Sequence, residues 1–208
     1  TPPPPNGGGT QGLLKVKPYV YDTSLSGTLA AEWVAYLGLP QGGPGGYPGL
    51  VLSKNASAPM GSEAGAVVQY AQGLSLTELG FDYRDGGQCT ATSPRFVVVT
   101  TGNVVHTVGG CSKGTIQNAP LAGWKRVRFN LNDPQQTTPP IAPDLMVDKI
   151  SLVLDQGPEA GAGAAGGLVV LDNIDINGML IRGTYRGVTT GSRGTSGNGG
   201  HHRRDDDD

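Results

Sequence analysis

The feature that most restricts this chain is an apolar–polar alternation with period two. In Lys125-Arg-Val-Arg-Phe-Asn-Leu131, Val127, Phe129 and Leu131 fall on one side and Arg126, Arg128 and Asn130 on the other. Ile150, Leu152 and Leu154 repeat the pattern, as do Leu79, Phe81 and Tyr83 against Asp82 and Arg84. Side chains on a strand point alternately to opposite faces, so this is how a sheet with one buried face is written. It predicts that Arg126 and Arg128 stand in solvent, where a charge contributes about 0–1 kcal/mol. Only Thr28 to Leu39 is ambiguous. Its Ala and Leu residues allow a helix, but Trp33, Val34 and Tyr36 favour a strand, and nothing else in the chain has helical period. A strand is expected.

The centre of the chain is Leu74 to Cys111, where three apolar runs are separated by Gly-rich and polar breaks. Its last two runs predict a hairpin, Arg95–Thr100 with Val104–Val108. Cys89 and Cys111 flank that hairpin, and in an oxidising compartment they should pair. Closing such a loop stabilises by about 3 kcal/mol on chain-entropy grounds. Further strands are expected at Leu13–Asp22, Leu50–Leu52, Ala64–Tyr70, Val169–Asn177 and Gly178–Val188. About ten short strands with turn signals at 8–12-residue spacing predict an all-β sandwich. The connector Asp133–Pro143 should cross between the sheets or cap an end.

Charged residues are 15% of the chain, below the usual level of about a quarter. The net charge of −2 gives no electrostatic case for nucleic acid or an anionic membrane as partner. No apolar run approaches the roughly 18 residues of a membrane-spanning helix. A start at Thr1, with neither Met nor an apolar leader, is expected of a processed, exported chain, and so is an extracellular or cell-surface location.

Three regions follow. Residues 1–23 form an N-terminal arm, a Pro/Gly-rich leader ending in the strand-like Leu13–Asp22. Pro18 has no N–H to give a ladder, which predicts an edge strand or a strand outside the main sheet. Residues 24–188 form the sandwich. Residues 189–208 are a Gly/Ser-rich tail ending in Asp205–Asp208.

Few residues carry chemistry. Asn55-Ala-Ser57 is an N-glycosylation sequon. Asp155, Asp172 and Asp175 have the ligand type for Ca²⁺. Trp33, Tyr47 and Trp124 are the rings available for stacking on a sugar. In Val169–Asn177 strict alternation puts Asp172 on the apolar face, so either a bulge shifts the phase there or Asp172 is buried with partners. His106 lies between Val105 and Thr107 and reads as structural, while His201 and His202 sit in the tail. No nucleophile–base pair and no zinc spacing is present, so no enzyme and no obligatory cofactor is expected.

Gly73-Leu-Ser-Leu-Thr-Glu-Leu-Gly-Phe-Asp-Tyr83, Cys89 with Ser93-Pro-Arg-Phe96, Gly109-Gly-Cys111, Gly123-Trp-Lys-Arg-Val-Arg-Phe129, Pro140-Ile-Ala-Pro143, Ile150-Ser-Leu-Val-Leu-Asp155 and Leu171-Asp-Asn-Ile-Asp-Ile-Asn-Gly178 resemble secreted bacterial β-sandwich proteins of unassigned function. These are similar to galactose-binding-like and carbohydrate-binding-module jelly rolls. The resemblance covers roughly Trp33 to Ile181. It implies a jelly-roll sandwich and export, and it carries over no catalytic residues.

The expectation for function is a structural subunit of an extracellular filament or surface assembly, its partners being copies of itself. A neighbour would complete its sheet with a donated strand, joined head to tail. The N-terminal arm is the favoured donor and Gly178–Val188 the second. The alternative is a carbohydrate-binding module whose partner is a glycan.

Overall fold

The computed structural model describes residues 14–23, 25, 27–40, 47–54, 61–155 and 167–183. In chain order its strands are β1 (Lys15–Tyr21), β2 (Leu29–Val34), β3 (Gly49–Lys54), β4 (Glu63–Gln69), β5 (Leu79–Arg84), β6 (Arg95–Thr100), β7 (Val104–Gly109), β8 (Thr115–Asn118), β9 (Trp124–Phe129), β10 (Thr137–Thr138), β11 (Val147–Leu154), β12 (Leu168–Ile176) and β13 (Met179–Ile181). The only helical piece among the described residues is a single 3₁₀ turn, Cys111–Lys113. Sheet A has the order β1-β4-β11-β6-β7-β10, and sheet B the order β2-β3-β12-β5-β9-β8 with β13 also on β12. Every pairing is antiparallel.

The inner orders, β4-β11-β6-β7 against β3-β12-β5-β9, have jelly-roll connectivity. The chain crosses from sheet to sheet at β1–β2, β3–β4, β4–β5, β5–β6, β7–β8, β9–β10 and β11–β12, so most neighbours in space are distant in sequence. The expected connector, Asp133–Pro143, does cross from sheet B to sheet A, and adds the two-residue β10 on the way.

The core lies between the sheets. Phe81, Phe96 and Phe129 meet at its centre with ring centroids 5.8–6.1 Å apart. Val127, Ile150, Leu152 and Leu154 surround them, on the side that the alternation assigns. Each such side chain contributes about 1.5–3 kcal/mol by leaving water. The predicted hairpin is present as β6 and β7, and Cys89 and Cys111 are joined in a disulfide.

Two expected elements differ in extent, and two strands were not expected. The Thr28–Leu39 strand ends at Val34; the chain then turns through Tyr36, at φ 64°, and sends Leu37 and Leu39 over the outer side of sheet B. Of the stretch Gly178–Val188, residues 184–188 lie outside the described residues; in the described part Met179–Ile181 is a strand that folds back on β12 through Asn177-Gly178, with φ 55° and 82°, and Arg182 and Gly183 are not in it. Positive φ at both central residues is the hairpin turn that Asn-Gly favours. The strands β8 and β10 have too little pattern to be seen in the sequence.

At β12 a bulge is present. The register with β5 slips between Asp172 and Asp175, and Asn173 takes φ 45°. Before it Val169 and Leu171 face the core; after it Ile174 and Ile176 do. The extra residue leaves Asp172, Asn173 and Asp175 away from the core, all buried.

Candidate functional site

The outer face of sheet B holds most of the buried charge among the described residues. Its register brings Asp172 opposite Asp82, Asp82 opposite Arg126, and Arg126 opposite Gln117, so one row crosses β12, β5, β9 and β8. The next row runs Asp175, Gly80, Arg128 and Thr115. Gly80 is small for a reason: a Cβ there would lie 2.5 Å from Arg128 Cδ. The Arg128 side chain passes over it, and Nε reaches Asp175 Oδ2 at 2.8 Å.

Asp82 is fully buried. Arg126 donates Nε to Oδ1 at 2.8 Å and Nη2 to Oδ2 at 3.0 Å, and Asn173 Nδ2 donates to Oδ2 at 2.8 Å. Arg182 Nε donates to Asn173 Oδ1 at 2.6 Å, which extends the network to the segment after β13. The bond to Asp82 holds Arg126 more firmly protonated. Arg126 and Arg128 do point out of the core, but the expectation that they stand free in solvent is wrong. They neutralise carboxylates that the bulge has buried.

Asp172 has a different task. Oδ2 accepts the Leu39 N–H at 2.8 Å and Oδ1 accepts the Asn173 N–H at 2.7 Å. It pins the turn after β2 above Val170, Trp124 and Ala119, which with Leu37, Leu39 and Val51 form a small apolar cluster on this face. Burial pushes its carboxyl above the ordinary value, and Asp82 adds to the rise; the two backbone N–H groups and the charge of Arg182 oppose it.

The residues expected to act together are held apart. Asp155 belongs to the far end of β11 and pairs with Arg95, whose Nη1 meets Oδ1 at 2.8 Å. Asp172 and Asp175 lie on the outer face of sheet B with other partners. Among the described residues no group of three His, Cys, Asp or Glu side chains is arranged to hold a metal, so these carboxylates do not form the expected Ca²⁺ set. Trp33 is opposite Leu50 on the core side of sheet B, while Trp124 is opposite Arg84 on the outer side. Two rings on opposite faces make no common platform, and Trp124 is only 6% exposed. Tyr47 is half-buried in the approach to β3, where its carbonyl accepts the Gly38 N–H. Asn55, residues 1–13 and the tail from 184 onward lie outside the described residues. His106 is structural: Nε2 is 3.0 Å from Thr100 Oγ1 and Nδ1 2.7 Å from the Pro139 carbonyl.

A second site is the rim of sheet A. The expected donor strand, β1, is an edge strand as Pro18 predicts, and it pairs with β4 of its own sandwich along its whole length. Tyr19 stands opposite Gly65 and donates its hydroxyl to Glu63 Oε1 at 2.6 Å. The Val16 carbonyl turns the other way and accepts Trp33 Nε1–H at 3.0 Å. Backbone groups of alternate residues point to the same side, so Pro18 also turns its missing N–H away from β4. Only Val16 of this strand is buried, and Tyr21 is 57% exposed.

No helix among the described residues is long and apolar enough to cross a membrane. A scan against protein-family models, a search of curated proteins and a search of solved structures find no match to this chain.

Proposed function

We propose that the chain is a non-catalytic structural subunit of an extracellular assembly, with copies joined by exchange of β1. The observation that carries this reading is the way β1 is held. It is the first strand among the described residues and stands at the edge of its sheet, it contributes one buried side chain, and its ladder is to β4 alone. The β1 of a neighbour would meet the same β4 backbone, the same Gly65 and the same Trp33, so exchange conserves every contact in the rim. Exchange of an identical element is a low-cost route from monomer to oligomer, and head-to-tail exchange continues into a filament unless rotation closes a ring. The low charge and the disulfide fit an oxidising, extracellular setting. Light scattering across a concentration series tests it: mass should rise with concentration, and a chain that stays monomeric at the highest attainable concentration rejects it.

A second reading is a glycan-binding jelly roll. It draws on the connectivity of the sheets and on the resemblance of the central motifs to carbohydrate-binding modules. The outer face of sheet A, with half-buried Val97 and Val99 and exposed Val105, is the surface it would use. A polysaccharide pull-down with the monomeric fraction separates the two readings, since only this one requires retention on one sugar class.

A further inference from the structure

We infer that the groove along β4 selects its occupant by reading one tyrosine and one carbonyl, which makes it a homotypic site for β1 of a second copy. The inference rests on the exchange reading above, and deepens it by stating which strand the groove accepts and in which register.

The tyrosine is read at Gly65. A Cβ there would lie 2.8 Å from Tyr19 Cζ and 2.8 Å from Tyr19 Oη, so the missing side chain is the seat of the ring. Glu63, two residues back on the same face of β4, receives the hydroxyl. Burial and the neighbouring Glu63 both raise the Tyr19 pKa, so the hydroxyl keeps the proton it donates. The carbonyl is read at the other edge, where Trp33 Nε1–H from sheet B meets Val16 O. The two contacts are three residues apart along β1 and fall on opposite sides of the strand's backbone. Together they fix both its register and its direction.

A one-residue slip would set Pro18 or Val20 over Gly65 and turn Val16 away from the core. A two-residue slip could bring Tyr21 over Gly65, but Pro18 would then take the place of Val16. Pro18 also limits growth. With no N–H at the middle of the outer edge, β1 cannot accept a further full strand, so the rim takes one occupant and stops. Linkage between copies is therefore exchange within a groove and does not stack strands outward.

The test uses the intact chain and a fluorescent synthetic peptide of residues 14–23, mixed in excess and separated by gel filtration. The expected result is peptide co-eluting with the chain. Retention should fall by about tenfold for a Tyr19→Ala peptide, which loses ring contact and hydrogen bond together, and by less for Tyr19→Phe. Trp33→Phe in the chain keeps the ring bulk and removes the N–H, and should speed peptide release roughly fivefold. The absence of co-elution, or equal retention of the native and Tyr19→Ala peptides, overturns the inference. The outcome is separable from that of the proposed function: a chain that captures the peptide but stays monomeric keeps the groove and loses the assembly, whereas one that assembles without Tyr19-dependent capture does the reverse.

Discussion

Arg126 holds both oxygens of Asp82, a carboxylate with no access to solvent, and this sets the cost of losing it. Arg126→Ala leaves Asp82 with Asn173 as its remaining close donor and should destabilise by about 1–3 kcal/mol. Lys125→Ala, one residue away, loses an exposed hydrogen bond of 2.8 Å to Asn118 Oδ1 and a contact of 3.8 Å to the exposed Asp85, and should cost about 0–1 kcal/mol. Phe129→Ala empties part of the core and should cost about 3–5 kcal/mol. Urea unfolding of the three variants checks the order: Phe129 largest, Arg126 next, Lys125 least. Alternation in the sequence tells which side of the sheet a residue takes. It does not tell whether that side is wet, and here the buried acids Asp82 and Asp175 were the missing information.

Asp172 carries a pH dependence with a defined sign. Its carboxyl is raised in the folded state, so between the unfolded and folded values the folded chain binds more protons than the unfolded one. Stability from this group therefore falls as pH rises through that interval, from about 4 in the unfolded chain upward, and is flat above the folded value. Asp172→Asn removes the titration. It also turns an NH₂ toward the N–H of Leu39 or of Asn173, so the variant should lose the acid-side slope and be less stable at neutral pH. Denaturation midpoints measured from pH 3 to 7 read both effects; an unchanged slope would show that Asp172 is not the group titrating.

At the scale of elements, what could be read in the sequence followed length and contrast. The hairpin β6–β7 and strands β9 and β11 have strong alternation and appear where expected. The bulge in β12 was one of two readings of Asp172, and the structure combines them: the phase shifts and the carboxylate is buried with partners. β2 is shorter than the expected Thr28–Leu39, because Tyr36 at positive φ turns the chain; the turn before β13 is different, since its Asn-Gly pair announces itself in the sequence. β8 and β10 form because β9 and β7 offer them an edge, which is a tertiary cause that local sequence does not carry. The disulfide belongs to this scale as well. Cys111 begins the turn after β7 and Cys89 precedes β6, 22 residues apart, so the bridge closes the hairpin across its open end. Replacing both cysteines with serine should cost about 3 kcal/mol. Thermal unfolding of the double variant measures it, and a loss below about 1 kcal/mol would show that the hairpin holds itself.

The whole molecule is a jelly roll whose exposed rims differ in how they are closed. On sheet A one rim is β1, stopped by Pro18 and fastened by Trp33 from the opposite sheet, and the other is the two-residue β10; on sheet B the rims are β2 and the short β8. The sandwich class was legible because it depends on alternation and turn spacing. The charged face of sheet B was not, because it depends on which strands become neighbours, and β12, β5 and β9 are far apart in sequence. Deleting residues 1–23 would bare the β4 edge and remove Val16 from the core, mixing loss of exchange with loss of stability. A covalent trap on the intact chain avoids this. Val20 lies opposite Ala64 with its backbone groups turned away from β4, the kind of antiparallel pair whose side chains approach closest. The variant Val20→Cys with Ala64→Cys, oxidised at high concentration and run without reductant, reports whose β1 fills each groove. Exchange between copies predicts a ladder of covalently linked chains that collapses on reduction; a single monomeric band, with the new cysteines fully joined, would contradict it.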